Sequence, residues 1–459
     1  MERSRSRFMD RRKSLKRRQM MKKKVFTNGA TVILSVVTLI FCISSCAQKT
    51  PDTDVEVTEA IPKNWSQWRG PNNGGISDET DVPIQWSQTE NVRWRLPLPG
   101  EAAATPVVWG DKIFLTSADG SELVLMCVST EGEELWKRTL AQGNRTSRGD
   151  EVNYAAPSPT TDGEHIWAFL GTGDLACYDF EGNPIWQTNL EERYGKFRLG
   201  FLMSMTPLLD KDKLYLQLIH SNAWLVLALD KMTGEEIWKH DRKSDATREC
   251  EHAYTSPILY RDAEREFLVV HGADYVTAHN LEDGSEIWRC GGLNSRERYN
   301  PSFRLVASPV ATEGLIVVPS AKNGPVLGLA PSGTGDITET KWQIWKLQRG
   351  TPDVPSPLIH DGLVYLCREN GDLICLDAET GEQLYRQRTH RHRHRSSPIY
   401  ANGYIYLTAR DGVVSVVKAG REFEIVATNS INEAVAASPV IVDGTLYLRS
   451  YDALYAIGQ

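Results

Sequence analysis

The 459-residue chain is 41% hydrophobic and carries 13 Trp, 16 Tyr and 11 Phe, enough apolar mass for a large core, which excludes a disordered protein. Its formal net charge of −7 hides an asymmetry: residues 1–45 hold 12 of the 52 basic side chains and two of the 59 acidic ones, leaving 40 basic against 57 acidic, or −17. A body that acidic repels nucleic-acid phosphates and anionic headgroups except at a local basic patch, so nucleic acid is not the expected partner.

Val32 to Ile43 is an apolar run behind Lys22, Lys23 and Lys24. A membrane-spanning helix needs about 20 apolar residues, so the run reads as the core of a cleaved signal peptide over residues 1–45. Ile43-Ser44-Ser45-Cys46 resembles the bacterial lipobox, which implies a diacylglycerol on Cys46 and a lipid anchor at the periplasmic face of the cell envelope. Ala47 rather than Asp follows, which the resemblance associates with the outer membrane. Met1 and Met21 are alternative starts for such a leader, Met21 giving one of ordinary length. Residues 46–63 are polar, with Pro and acidic side chains, and read as a flexible tether.

From residue 64 to 459 one pattern repeats eight times. Each copy opens with a small hydroxyl residue and proline: Thr105-Pro106, Ser158-Pro159, Thr206-Pro207, Ser256-Pro257, Ser308-Pro309, Ser356-Pro357, Ser397-Pro398 and Ser438-Pro439. Proline at the start of a strand costs no ladder hydrogen bond. Turns such as Asp162-Gly163, Asp361-Gly362, Asn402-Gly403 and Asp443-Gly444 lead to a second strand, and Asn370-Gly371 or Asp411-Gly412 to a third. A fourth strand carries an aromatic: Trp136, Trp186, Trp238, Trp288, Trp345, Tyr385 and Phe423. A period of about 40 to 50 residues with four strands per copy predicts an all-β chain, an eight-bladed β-propeller of four-stranded antiparallel blades. The last copy ends after its third strand, while Asn91-Val92-Arg93-Trp94-Arg95 precedes the first proline. The N-terminal strand is therefore expected to join the C-terminal blade and close the ring, leaving no open sheet edge at the seam.

Asp230-Lys231-Met232-Thr233-Gly234-Glu235-Glu236-Ile237-Trp238 and Asp377-Ala378-Glu379-Thr380-Gly381-Glu382 resemble the repeat of the PQQ-binding-like propeller family, which includes quinoprotein alcohol dehydrogenases and BamB-type outer-membrane assembly lipoproteins. Trp65-Ser66-Gln67-Trp68-Arg69-Gly70-Pro71, with Gly324-Pro325-Val326-Leu327 and Gly333-Thr334-Gly335-Asp336-Ile337-Thr338, resembles a bacterial subgroup of it. The resemblance covers about residues 64–459 and implies the fold more strongly than any activity.

The segment before each Ser/Thr-Pro pair is expected at one mouth of the central channel. Candidate binding residues there are Glu151, Asn153, Tyr154, His252, Tyr254, Asn300, Arg304, Asp353, Arg393, Arg395 and Glu433, which suit either a wet polar rim or a pocket for a small anionic ligand or a partner loop. In an extended run, His390, His392 and His394 would share one side and Arg391, Arg393 and Arg395 the other, with no acidic ligand beside the histidines in sequence. Cys127, Cys177 and Cys375 read as small core residues. A two-residue turn at Asn370-Gly371 would put the sulfurs of Cys367 and Cys375 on opposite faces, and a Cys250–Cys290 disulfide is left open.

Three functions remain. The leading one is a non-catalytic, membrane-tethered scaffold that binds envelope proteins, with no cofactor, no metal and no catalytic residues; the resemblance implies outer-membrane protein assembly. The second is a PQQ- and calcium-dependent oxidoreductase, for which Glu151, Asn300 and Asp353 have suitable types, although the neighbouring-cysteine disulfide of such enzymes is missing. The third is a periplasmic sensor or carbohydrate-binding propeller using Tyr154, Tyr254 and Tyr299.

Overall fold

The computed structural model describes residues 64–147 and 152–458. The expected leader, tether and lipidated Cys46, together with Glu151, lie outside the described residues. Eight antiparallel sheets follow one another in sequence, their first strands opening at Val107, Thr160, Leu208, Ile258, Val310, Leu358, Ile399 and Val440; they are blades 1 to 8. In every blade the strand after Ser/Thr-Pro is the inner strand of the four, with the second and third outward of it, and short segments extend three sheets: Asn64–Trp65 inside blade 1, Ile76–Ser77 inside blade 7 and Gly335–Asp336 outside blade 4. This is the expected eight-bladed propeller.

Middle strands face a neighbouring blade on both sides, so both of their faces must be apolar. In blade 1, Lys112–Asp119 and Glu122–Ser129 are each buried at their six central positions. Outer strands meet water on one face, and Val92–Pro97 alternates accordingly.

That N-terminal strand pairs antiparallel with Ala453–Ile457, Leu96 opposite Leu454 and Trp94 opposite Ala456. The Trp94 ring lies 6.1 Å from Tyr447, and Arg95 binds Glu433 at 2.8 Å. The strand just ahead of blade 1 thus completes the last blade, as the repeat count required.

Opposite each outer aromatic the third strand places a small residue. Cys127 faces Trp136, Cys177 Trp186, Ala228 Trp238, Ala278 Trp288, Gly328 Trp345, Cys375 Tyr385 and Ala456 Trp94. Blade 7 inverts the sizes: Val416 faces Ala427. Phe423, expected on its outer strand, lies before the strand Ile425–Ser430 and packs edge-on against Tyr385 of blade 6 at 5.6 Å. Indole N–H groups then tie blade to blade. Trp94 donates to Thr130 O, Trp136 to Phe180 O, Trp186 to Lys231 O, Trp238 to Leu281 O and Trp345 to Ala378 O, each in the next blade.

The repeat motif follows from this packing. Asp230 accepts the N–H groups of Met232 and Thr233 and so shapes the turn. Gly234 has φ 70° and would, with a Cβ, meet the Trp186 ring at 2.8 Å, so only glycine fits.

Asp361-Gly362, Asn402-Gly403 and Asp443-Gly444 are two-residue turns with positive φ at both positions. The turn at Asp162-Gly163 is wider, since Thr161 pairs with Ile166. At Asn370-Gly371 the turn also differs from expectation. Cys367 pairs with Leu373 and Tyr365 with Cys375, because Arg368 N–H and Asp372 O close a five-residue turn. Both cysteines therefore share one face and remain thiols. All six cysteines among the described residues are free and buried, and Cys250 Sγ donates to Asn300 O at 3.2 Å rather than forming a disulfide with Cys290.

Candidate functional site

The N–H before each inner-strand proline points to the channel side, where no sheet partner exists, so it needs an acceptor. The hydroxyl of the equivalent residue in the next blade supplies it. Thr105 N–H donates to Ser158 Oγ (2.9 Å), Ser158 to Thr206 (3.1 Å), Thr206 to Ser256 (2.9 Å) and Ser256 to Ser308 (2.9 Å). Ser308 donates to Ser356, Ser356 to Ser397 and Ser397 to Ser438, each at 3.0 Å, and Ser438 to Thr105 Oγ1 at 3.1 Å. Eight bonds make a closed ring, and this explains why only Ser or Thr occupies the position.

Seven of these residues line an axial cavity of about 170 Å³. One end is strapped shut by residues 64–77, which cross the far ends of the inner strands. Asn64–Trp65 pairs with Val108 and Trp109 of blade 1. Ser66 O accepts Thr161 N–H of blade 2, and Gln67 Oε1 accepts Leu209 N–H of blade 3. Arg69 donates to Pro357 O of blade 6 at 2.6 Å, Gly75 O accepts Tyr400 N–H of blade 7, and Ser77 donates to Ile441 O of blade 8. Trp68 forms the floor of the cavity. Arg69 is 1% exposed, and burial lowers its guanidinium to about 9. The Trp65–Pro71 motif is therefore a plug, a place that sequence reasoning missed; its one signal is an arginine between Trp68 and Gly70 with no acidic neighbour.

The other end is open. Tyr254 OH accepts Phe201 N–H at 2.9 Å, the two rings standing perpendicular at 5.6 Å. The Arg304 guanidinium lies 4.5 Å over the Phe201 ring, a cation–π contact. Arg395 Nη2 is 3.3 Å from Glu369. Tyr254, Arg304 and Arg395 thus come together at the rim with Phe201.

Asp353 and Arg393 line a neighbouring cleft; burial raises the Asp353 carboxyl against the pull of Arg304. The other candidates hold loops. Asn153 donates to Glu101 O and accepts Ala155 N–H. His252 Nε2 meets Ser221 Oγ at 2.8 Å, and Glu433 binds Arg95 and Tyr455. Tyr154 faces a separate pocket with Phe197 and Met203. Asn300 N–H donates to Asn294 Oδ1, and its own Oδ1 accepts Ser302 N–H.

The histidine run is not extended, so the expected alternation fails. His394 is buried, its Nδ1 on His392 O, whereas His390 Nε2 is 2.8 Å from Asp411 Oδ2, an acidic neighbour brought from the adjacent turn. No group of three His, Cys, Asp or Glu side chains among the described residues is arranged to hold a metal. A calcium-held quinone needs an acid and an amide at one point; Asn300 has turned its amide oxygen into its own loop, and no described carboxylate lines the well. The described residues do not assemble that donor set.

A 22% identical stretch of 349 residues links the chain to the polyvinylalcohol dehydrogenase of a Pseudomonas species, covering 64% of this chain and only about half, 52%, of that enzyme. BamB of Yersinia pestis is 21% identical over 384 residues, 80% of this chain and 83% of BamB. Among solved structures, BamB from Moraxella catarrhalis superposes with a TM-score of 0.57 at 16% identity, covering 80% of this chain and 96% of that one. A europium-containing methanol dehydrogenase superposes with a TM-score of 0.65 at 11% identity, covering 86% and 98%; at such identities the likeness is one of fold. The family profile described as outer membrane protein assembly factor BamB matches residues 120–240 and 273–457, most of the propeller, and the chain belongs to that family.

Proposed function

We propose that this propeller is a non-catalytic scaffold of the bacterial cell envelope, held at the periplasmic face of the outer membrane by a lipid on Cys46, and that it binds protein partners in outer-membrane protein assembly. The observation that carries this reading is the asymmetry of the ring: the chain's own residues 64–77 occupy one face of the channel, leaving the rim of Phe201, Tyr254, Arg304 and Arg395 as the axial face open to a partner. An aromatic pair crossed by an arginine is the composition of interface anchors. Family membership supports the same reading.

The test is reconstitution of the lipidated chain with the outer-membrane assembly proteins of its own bacterium. Arg304→Glu with Phe201→Ala is expected to weaken capture at least tenfold, a loss of roughly 1.4 kcal/mol, with the melting temperature unchanged. Undiminished capture would reject the rim as the docking face. No capture by the unaltered chain would reject the scaffold reading itself.

A further inference from the structure

Beside the well, an open cleft is lined by Lys322, Arg368, Arg388, Arg391 and Arg393 against two carboxylates, Asp353 and Glu369. On a propeller with a strong acidic excess, five cations in one cleft reverse the local field. The cluster is built rather than scattered. Asp372, 6% exposed, accepts from Arg386 Nη2 at 2.6 Å, Arg388 Nε at 2.9 Å and Arg368 Nη1 at 3.3 Å. Arg386 and Arg388 are two apart on the outer strand Gln383–Arg388 and share a face, and Asp372 stands opposite Arg388 on the adjacent strand. One carboxylate thus gathers three guanidinium groups and leaves two positive charges in excess at one point.

Their donors are not exhausted. Arg388 commits only Nε to Asp372, whereas Arg368 is held at both ends of its fork, by Asp372 and by Asn323 Oδ1 at 2.9 Å. Arg391 is exposed at the lip of the same cleft. Guanidinium forks match oxyanions in pairs of N–H bonds. Charges that converge on one point suit a compact dianion better than an extended acidic peptide, whose same-face carboxylates lie about 7 Å apart.

We propose that this cleft is a binding site for a phosphate dianion or phosphomonoester, with Arg388 and Arg391 as its donors and Arg368 adding positive charge behind them. Asp353, whose Oδ1 has no partner, lines the same cleft and opposes the anion when ionised. The proposal does not depend on the scaffold reading.

Inorganic phosphate is titrated into the full chain at low ionic strength by calorimetry. Arg388→Gln and Arg391→Gln are each expected to weaken binding about tenfold, Asp353→Asn to strengthen it, and Arg265→Gln, in blade 4, to leave it unchanged. Arg391 is exposed, so its variant keeps the test valid if Arg388→Gln destabilises the blade. Sedimentation with phosphatidic acid vesicles, with and without competing phosphate, tells a lipid headgroup from the free ion, and either result supports the site. Absence of phosphate binding at millimolar concentration, an equal loss in Arg265→Gln, or binding of a polyglutamate peptide without phosphate overturns it.

Discussion

Ser438 in the last blade donates its backbone N–H to Thr105 Oγ1 in the first at 3.1 Å, the same bond that joins every other pair of neighbouring blades. The seam of the ring therefore has two latches of different kinds: this inner hydroxyl bond and the outer strand Val92–Pro97 laid on Ala453–Ile457. The inner latch gives the first prediction. Thr105→Val keeps the shape but strands a buried donor, which costs about 1–3 kcal/mol. Thr105→Ser keeps the acceptor and is expected to stay within about 0.5 kcal/mol of the parent. Urea denaturation followed by tryptophan fluorescence separates the two, and equal midpoints for the Val and Ser variants would remove the ring as a stabilising element.

Turns within the blades give the second. Gly234 and Gly314 both have positive φ, 70° and 77°, so alanine costs each of them a left-handed backbone of about 1 kcal/mol. Only at Gly234 does the new Cβ meet a wall, the Trp186 ring at 2.8 Å; around Gly314 there is nothing within 4 Å. Gly234→Ala is expected to lose about 2 kcal/mol more than Gly314→Ala, overpacking being added to strain. Similar losses would mean that the indole moves aside and that the motif glycine is there for the turn alone.

The fold was legible because its markers are local. Each Ser/Thr-Pro pair marks an inner strand, and the fourth strand missing after Ile457 points to the spare one at Trp94. Where the outer strand carries a small residue in place of the aromatic, as Ala427 does opposite Val416, spacing alone misplaces the aromatic: Phe423 only precedes the strand Ile425–Ser430. The site was less legible for a different reason. A polar residue before a Ser/Thr-Pro pair looks the same in sequence whether it reaches the channel, as Arg304 does, or ties a loop, as His252 and Glu433 do. Only tertiary contacts decide between those, and the cleft around Asp372 is assembled from two blades that no local pattern links.

The cysteines give the third prediction. Cys127, Cys177, Cys290 and Cys367 are pushed up to about 12 by burial, and all six described cysteines are buried thiols. A thiol reagent attacks through the thiolate, so the native propeller is expected to resist labelling, whereas all six react in denaturant. Reductant should leave the melting temperature unchanged. A fall in melting temperature under reductant would reveal a disulfide and contradict the thiol assignment.

Acid should destabilise the chain in two stages that overlap between about pH 4 and 3, because burial lowers His271 and His279 further, to about 3. His220 and His394 are lowered to about 4 by burial, whereas an exposed histidine titrates near pH 6.5. Between those values the unfolded chain binds protons that the folded one refuses. Stability is therefore full above about pH 6.5 and falls as the pH drops toward 4, by roughly 2 kcal/mol for each such histidine at pH 5. Asp372 acts lower on the scale. Burial opposes its ionisation, but hydrogen bonds from Arg386 and Arg388 outweigh that and hold it at about 2. Its contribution is present above the ordinary carboxyl value near 3.9 and is lost as the pH falls through 2. Urea midpoints from pH 7.5 to pH 2.5 test both stages. His394→Gln, which retains a donor for His392 O, is expected to flatten the curve between pH 6.5 and 4 and leave the lower limb as it was. Asp372→Asn is expected to lower stability throughout the range above pH 4 while reducing the further loss below it. If His394→Gln runs parallel to the parent across the upper limb, the buried imidazole takes no part in the acid response, and the contacts that enclose it are looser than the described geometry.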